Sequence, residues 1–384
     1  MTTARAIVEG RLVLDDRVVA GRLAVEGGRI AAVEPDETPG RSGGPAPGGP
    51  FIAPGFVDVH VHGGGGHDAM GGVAALDGMA HHLLDHGVTS FLPTAVSAPL
   101  ASLVAFAGSV RDWLPAARPD AADALGFNLE GPFLAPSRRG AHDPAVLRVP
   151  ADIPRAELEP LLDGLRLITI APELPGALEL IGWLRDRGVA SSLGHSDATL
   201  DQARAGFAAG ATGTTHLFNA MSGVDHRQPG VAVAALGEDR AHVELIADGE
   251  HVHPSLWPII TRTKPDGRLI LVSDAIPQAG LGDGRATIGG LECVVVGNRV
   301  TLVGTTTLAG SVIAVDTAVR NLVAAGLPLW FAVAAATRNP LALIGVTDRG
   351  RLAVGQRANL VELDEDLRVR RVMRDGAWVV GAPD

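Results

Sequence analysis

The sequence predicts an α/β fold: a TIM-like (β/α)8 barrel with a small β-sandwich that is built from both chain termini. Eight short apolar runs alternate with helix-like segments through the middle of the chain, as the repeated βα units of a parallel sheet do. Both chain ends are rich in short strand-like runs. The length of 384 residues exceeds one ordinary domain and suits a large barrel with a small appendage.

The two chain ends share one pattern. Residues 6–33 alternate short apolar runs with turns, which predicts a small antiparallel sheet. The Gly/Pro-rich segment from Thr38 to Pro50 is typical of a connecting loop. From Gly350 the C-terminus resumes the strand-like pattern. We therefore assign residues 1–53 and 345–384 to the β-sandwich domain and residues 54–344 to the barrel.

The barrel strands are predicted where apolar runs end in turn-forming residues. The eight candidates span residues 56–62, 88–94, 125–131, 165–171, 190–196, 213–219, 242–248 and 269–275. Long connections at 63–75, 132–150 and 276–310 follow three of these strands, and long loops on barrels of this kind build binding sites. The apolar stretch from Leu322 to Ala336 is interrupted by Gly326 and Pro328, is too short to span a bilayer and is predicted to be a buried helix.

Composition excludes several partners and cofactors. The formal charge of −11 argues against a broad nucleic-acid or membrane surface, since both need clustered cations. Cys293 is the only cysteine, so an intrachain disulfide and a thiolate-rich metal site are excluded. The only lysine, Lys264, lies in a predicted turn rather than on a strand, which excludes a Schiff-base lysine. The N-terminus has no secretory apolar region, so cytoplasmic residence is expected.

A pair of histidines marks the end of the first barrel strand. His60 and His62 are two residues apart, so both imidazoles point to the same face of the strand. Asp58 shares that face and is expected to hold one of the imidazoles. The pair alone is a weak signal, because two solvated histidines at a strand end are common.

Four further ionisable residues fall at the C-terminal ends of other candidate strands: Glu130, His195, His216 and Asp274. That end of a barrel is the face where active sites occur. Each residue alone is accounted for by a helix cap or by a hydrogen-bonded core histidine. Chance would scatter such groups along the strands, so their common position favours an active site that binds a metal through His, Asp and Glu.

At this point the sequence resembles a known family. The motifs DVHVHG, NLEGPF, RGAH, LGHSDA, THLFNAM, RQPG, DGEHVHP, LVSDA and TLAGS follow one another in the order found in the N-acetylglucosamine-6-phosphate deacetylases of the amidohydrolase superfamily. The resemblance covers nearly the whole chain, from PGFVDVHVHG to ANLVELD. NLEGPF together with THLFNAM is highly specific for that family.

The resemblance implies a reaction and the residues that perform it. The reaction is hydrolysis of the acetamide of N-acetyl-D-glucosamine 6-phosphate to D-glucosamine 6-phosphate and acetate. Zinc or iron, one or two ions per subunit, activates the attacking water, and the principal metal ligands match Glu130, His195 and His216. His60 and His62 match a second metal position with Glu130 bridging. Asp274 matches the general base that then acts as general acid.

The resemblance also implies how a phosphorylated amino sugar is bound. The phosphate contacts of the family match Asn219, the backbone of Ala220, Arg227 and His251. The sugar contacts match Ala141, His142, Leu308, Ala309 and Gly310. In the family, the contacts matching Arg227 and His251 cross a subunit interface, so a homodimer with shared active sites is expected.

Two other functions stay open on the residues alone. One is another amidohydrolase, a cyclic amidase or a deaminase, which would gain nothing from a 6-phosphate. The other is a sugar-phosphate sensor without catalytic activity. A sensor is expected to lose metal ligands or Asp274, and none of these residues is missing.

Overall fold

The computed structural model describes residues 5–36, 49–264 and 267–381. The predicted connecting loop from Thr38 to Pro50 lies almost wholly outside the described residues. Within the described ranges, no helix is long and apolar enough to cross a membrane. The chain forms a barrel, a sheet that joins its two ends, and a small three-stranded sheet that follows the last barrel strand in sequence.

The eight predicted barrel strands are confirmed and run parallel in chain order. They span Phe56–Val61, Val88–Val96, Phe127–Glu130, Leu165–Ile170, Ala190–Leu193, Gly213–Thr214, His242–Leu245 and Leu269–Leu271. Seven of them are shorter than the predicted runs, and Val88–Val96 is two residues longer. A short strand, Asp123–Ala124, pairs beside Val88–Val96. The ring closes through backbone hydrogen bonds from Asp274 N to His60 O (2.9 Å) and from His62 N to Ala275 O (2.8 Å).

Helices pack around the strands through apolar faces. They span Val73–Asp85, Leu100–Trp113, Arg155–Leu162, Ala177–Arg185, Leu200–Ala209, Val231–Gly237, Trp257–Thr263, Val315–Ala324, Leu329–Ala335 and Arg338–Leu343. The first of them buries Leu76, Met79, Ala80, Leu83 and Leu84, the spacing of one helical face. Helix Leu200–Ala209 begins at a capping box between Thr199 and Gln202.

The apolar stretch from Leu322 to Ala336 is not one helix, which corrects the sequence prediction. One helix ends at Ala324 and the next begins at Leu329. Gly326 has a φ of +90°, which ends a right-handed helix, and Pro328 then precedes the second helix. Burial on both sides of the turn explains why the sequence remains apolar across it.

The predicted β structure from both chain ends is confirmed. It is one seven-stranded sheet made of Ala377–Val380, Val369–Arg374, Leu360–Leu363, Phe51–Pro54, Ala6–Val13, Val18–Glu26 and Arg29–Pro35, in that spatial order. The turn at Gly28 and the turn at Gly376, which belong to opposite ends of the strand order, contact each other. The sheet must therefore curl. Strand Phe51–Pro54 joins the two ends by pairing with Ala6–Val13 and with Leu360–Leu363.

The three long connections contain structure of their own. Gly63–Gly64 pairs with His67–Asp68, and 3₁₀ turns at Pro136–Arg138, Pro144–Val146 and Pro150–Asp152 follow the third strand. Residues 276–310 hold an antiparallel sheet of Gly284–Ile288, Leu291–Val296 and Arg299–Leu302. We name residues 284–302 the flap. A further 3₁₀ turn, Pro254–Leu256, precedes the seventh helix, and Leu114–Ala116 extends the second.

Candidate metal centre and active site

The first strand delivers two buried histidines to the barrel mouth. His60 is fully buried and His62 nearly so. Nδ1 of His60 lies 3.0 Å from Oε2 of Glu244, and Nδ1 of His62 lies 3.1 Å from the carbonyl oxygen of Thr94. Each ring therefore has an acceptor behind it that holds the proton on Nδ1, and each turns Nε2 into the site.

Glu130 is the centre of the constellation. It ends the strand Phe127–Glu130, and its Oε1 lies 2.9 Å from Nε2 of His195 and 3.0 Å from Nε2 of His216. The two imidazole nitrogens are themselves 3.0 Å apart. A metal with bonds of about 2.0–2.1 Å to nitrogen and oxygen holds tetrahedral ligands about 3.3 Å from one another, so this triangle suits a zinc-sized ion.

A second group of ligand atoms shares Glu130 with the first. Nε2 of His62 lies 3.2 Å from Oε2 of Glu130 and 3.1 Å from Oδ1 of Asp274. Nε2 of His60 lies 3.5 Å from both Oε1 of Glu130 and Oδ1 of Asp274. The structure thus brings together two sets of converging ligand atoms, one with His195 and His216, the other with His60, His62 and Asp274.

The donor set needs a cation or protons between its members. Nδ1 of His195 contacts the carbonyl oxygen of Arg138 at 2.8 Å, so the neutral ring directs the lone pair of Nε2 at the carboxylate of Glu130. Nε2 of His60 is buried and has no hydrogen-bond partner in the part of the chain that the structure describes. Two acceptors that face each other in a buried site repel unless positive charge lies between them. These residues therefore fit a divalent metal ion.

The pKa values follow from the same contacts. Burial raises the pKa of Glu130, but His60, His142 and His195 outweigh burial and hold the pKa well below its usual value. Burial also raises the pKa of Asp274, and the hydrogen bond with His62 outweighs it and lowers the pKa. Burial lowers the pKa of His62, yet Asp274 and Glu130 raise it to about 9. A metal ion that binds here displaces protons from the imidazoles.

The backbone is strained where the site is built. His195, His216 and Asp274 each follow a strand end and have φ values of +47°, +26° and +51°. Phe218 and Ala220 also have positive φ, so five of the seven such non-glycine residues in the described ranges belong to this site. Left-handed conformations cost residues with a Cβ about 1–3 kcal/mol each, and the surrounding barrel has to enforce them.

His142 is poised as a hydrogen-bond donor. Its Nδ1 accepts a hydrogen bond from the backbone N–H of Ser97 at 3.2 Å, which leaves the proton of the neutral ring on Nε2. That nitrogen lies 3.2 Å from Oε2 of Glu130 and faces the pocket. His142 therefore differs from His60, His62 and His195, whose Nδ1 atoms face acceptors and whose Nε2 atoms present lone pairs.

A pocket of about 340 Å³ opens above these groups. Its wall includes all the metal-ligand candidates except His60, together with Asp274 and most of the residues expected to contact the substrate: Ala141, His142, Asn219, Ala220, His251, Leu308 and Gly310. Ala309 is fully buried behind that wall. Ile288 of the flap closes one side.

Two residues expected at the phosphate occupy different positions. His251 lies in the pocket wall of its own chain. Burial lowers its pKa, but the hydrogen bond with Asp248 outweighs burial and raises the pKa. Arg227 lies on an exposed loop outside this pocket, where Asp225 holds its backbone N–H.

Two residues of the site were not predicted from the sequence, and a third has a different partner from the one expected. Arg138 lines the pocket, and Glu244 lies directly behind His60. Glu244 could have been found from the sequence, because a glutamate within a buried strand such as His242–Leu245 is unusual and indicates a partner. Asp58 does not hold an imidazole, because its carboxylate accepts hydrogen bonds from the backbone of His60 and the hydroxyl of Ser273. Glu244 holds the His60 imidazole instead, because the ring points away from Asp58 on its own strand.

The sequence is similar to known amidohydrolases over most of its length. Residues 51–379 match the model of the amidohydrolase family. An N-acetylglucosamine-6-phosphate deacetylase of Bos taurus is 42% identical over 352 residues, which cover 86% of this chain and 84% of the relative. An N-acetylgalactosamine-6-phosphate deacetylase of Escherichia coli O157:H7 is 39% identical over 338 residues, or 86% of this chain and 87% of the relative.

A solved structure resembles the whole chain. It is a mutant of the N-acetyl-D-glucosamine-6-phosphate deacetylase of Mycobacterium smegmatis in complex with N-acetyl-D-glucosamine-6-phosphate. It superposes with a TM-score of 0.89 at 36% identity and covers 98% of this chain and 100% of that one.

Proposed function

The chain belongs to the amidohydrolase family, and from that premise we propose that it hydrolyses the acetamide of N-acetyl-D-glucosamine 6-phosphate. The products are D-glucosamine 6-phosphate and acetate. The observation that carries the proposal is the shared carboxylate of Glu130, which lies between two ligand groups at the floor of a pocket that also holds Asp274 and His251. The relatives that act on phosphorylated acetamido sugars support the substrate class.

Two metal positions per subunit are proposed. Glu130, His195 and His216 would hold one ion, and His60, His62, Asp274 and the other oxygen of Glu130 would hold a second. Zinc and iron both accept such nitrogen and oxygen ligands. A divalent ion bound there would polarise the amide carbonyl and acidify the attacking water.

Asp274 is proposed to move the proton of the reaction. Its pKa is lowered, so it is ionised at neutral pH and accepts the proton of the attacking water. It then donates that proton to the sugar nitrogen as the carbon–nitrogen bond breaks, because an amine leaves far more easily than its anion. His142, with its proton on Nε2, donates a hydrogen bond to a substrate oxygen in the same pocket.

The phosphate is proposed to bind at the far end of the pocket. His251, whose pKa is raised by the hydrogen bond with Asp248, and the turn that carries Asn219 and Ala220 supply hydrogen-bond donors. Arg227 is too exposed to serve its own pocket, which supports a homodimer in which it reaches the phosphate of the partner's site. A guanidinium can fork two hydrogen bonds onto a phosphate.

An acetate-release assay tests the proposal, and Asp274→Asn is the variant that is expected to lose turnover. Purified protein of measured metal content is supplied with N-acetylglucosamine 6-phosphate, its galactosamine epimer and unphosphorylated N-acetylglucosamine. We expect turnover that depends on the 6-phosphate, and a kcat reduced by about 10²- to 10⁴-fold in Asp274→Asn with the ion at Glu130, His195 and His216 retained.

The other outcomes separate the alternatives. Faster turnover of the galactosamine epimer would move the substrate towards that of the Escherichia coli relative. Hydrolysis of cyclic amides without a phosphate requirement favours another amidohydrolase activity. Sugar-phosphate binding with neither metal nor acetate favours a sensor, and undiminished turnover by Asp274→Asn contradicts the proposed proton transfer.

A further inference from the structure

A buried carboxylate behind the metal centre has no part in the proposed reaction. Glu244 lies on the strand His242–Leu245 with 1% of its surface exposed. Its Oε2 lies 3.0 Å from Nδ1 of His60 and accepts a hydrogen bond from the backbone N–H of His216 at 3.2 Å. One carboxylate oxygen therefore contacts a ligand from each of the two groups around Glu130.

A charged carboxylate holds the His60 ring more strongly than a backbone carbonyl oxygen holds the other histidine rings. His62 and His195 are backed by the neutral carbonyl oxygens of Thr94 and Arg138. Nδ1 of His216 is buried without a hydrogen-bond partner among the described residues. His60 is backed by a carboxylate, which fixes the ring orientation, keeps the proton on Nδ1 and makes Nε2 a better electron-pair donor.

The contact with His216 fixes the distance between the two groups. His216 follows its strand with a strained φ of +26°, and the carboxylate holds its backbone N–H. The backbone of the same glutamate also holds the next residue, because its carbonyl oxygen accepts from Leu217 N at 2.8 Å. The strand of Glu244 thus orients the turn that carries one ligand and the side chain of another.

We propose that Glu244 is a positioning residue that sets the metal affinity of the His60–His62 position. The inference rests on the two metal positions of the proposed function. Removal of the negative charge behind His60 weakens that position, whereas the position of His195 and His216 keeps its three ligand side chains and changes little. Outer partners of metal ligands contribute about 10- to 100-fold to metal affinity.

Zinc titration of the full-length protein tests the inference without reference to turnover. Metal-free wild type, Glu244→Gln and Asp316→Asn are titrated with Zn²⁺ in competition with a chromophoric chelator. Asp316 is a matched control, since it is also a buried carboxylate beside a histidine, His86, but lies outside the metal centre. His62→Ala identifies the binding step that belongs to the second position.

We expect Glu244→Gln to weaken the His62-dependent step about 10- to 100-fold while the other step stays close to wild type. Asp316→Asn should leave both steps unchanged. Thermal melting of the metal-free proteins shows whether each variant folds. If Glu244→Gln does not fold, Glu244→Asp replaces it: aspartate keeps the charge but is one methylene shorter, and the same selective loss is expected.

Three results overturn the inference. Wild-type affinity at both steps in a folded Glu244 variant means that the carboxylate does not support the metal. Equal loss at both steps means that it acts on the whole centre rather than on His60. A single zinc step in the wild type removes the position that Glu244 would serve, while acetate release by the same protein still reports on the proposed function.

Discussion

At the scale of single residues, the site is defined by charges that cannot be buried alone. Glu130 lies within 3.5 Å of nitrogen atoms from five histidines, and each of those contacts is buried. Burial of a lone carboxylate costs several kcal/mol, so the histidines and the cation they imply are mutually dependent. This dependence explains why the charged residues concentrate at one end of the barrel.

Another buried histidine makes acid stability testable. His242 is nearly fully buried, with Arg268 beside its Nε2 at 3.2 Å, and burial followed by that positive charge lowers its pKa to about 4. The unfolded chain binds this proton near pH 6.5, so between pH 6.5 and 4 protons favour unfolding. We expect the unfolding free energy of wild type to fall from pH 7 to pH 5 by about 2 kcal/mol more than that of His242→Gln.

Urea unfolding at both pH values measures this difference. His253→Gln, at an exposed histidine, is the control and should retain the wild-type pH dependence. If His242→Gln loses as much stability on acidification as wild type does, His242 is not the group that couples folding to protons in this range.

At the scale of elements, the segment after the flap is joined to the catalytic strand end. Ser311 N donates to the carbonyl oxygen of Asp274 at 2.8 Å, and Ser311 Oγ donates to the carbonyl oxygen of Ser273 at 2.5 Å. Gly310 precedes this junction with a φ of +66°. A Cβ there would lie 2.6 Å from Ile276 and 2.8 Å from the carbonyl oxygen of Asp274.

Gly310→Ala is therefore expected to displace Asp274 and to lower both turnover and stability. Gly304→Ala is the matched control: Gly304 has a φ of +76°, but beyond its two chain neighbours no described residue has an atom within 4 Å of the position that a Cβ would take. Both variants bear the cost of positive φ, about 1–3 kcal/mol, and only Gly310→Ala should lose most of its kcat. Acetate release and thermal melting measure the two effects, and equal kcat values would show that the junction does not position Asp274.

At the scale of the whole molecule, the fold joins distant parts of the chain twice. The barrel closes between His60 and Asp274, and the seven-stranded sheet joins residues 6–54 to residues 360–380. Arg349 lies in the segment that leads from the barrel to that sheet, and its guanidinium contacts Asp123 at 2.7 Å and Ser90 at 3.0 Å. Arg227 is exposed, and we propose that it makes a contact between two subunits.

Subunit complementation tests the proposed contact of Arg227 with the site of the other subunit. Arg227→Ala and Asp274→Asn are each expected to be poorly active at low substrate concentration, for different reasons. In a hybrid dimer, the site that retains Asp274 receives Arg227 from the other subunit and is complete. After random exchange of subunits about half of the dimers are hybrids with one complete site each, so about a quarter of all sites should regain wild-type kcat/KM.

Mixing the variants under conditions that exchange subunits, followed by acetate assays, measures this recovery. Sedimentation at assay concentration establishes the dimer independently. Activity equal to the average of the two separate variants would indicate that Arg227 serves its own subunit or no phosphate at all.

Much of this protein was predictable from local sequence patterns. The eight strands and the β structure at both ends follow from apolar periodicity and turn residues, which act within a few residues. The candidate ligands were found because the strand ends could be located from the same patterns. The stretch from Leu322 to Ala336 was predicted as one helix although Gly326 and Pro328 interrupt it, because both flanking helices are buried and burial keeps the composition uniform.

The sequence by itself determined the kind of fold, the residue types available to a metal and their position at strand ends. Tertiary structure alone decided which atoms meet. Glu244 backs His60 from 184 residues away, His251 faces its own pocket, and Asp58 turns to Ser273 instead of an imidazole. The physical reason is that side-chain partners across a barrel depend on closure and on strained φ values at strand ends, which no local periodicity encodes.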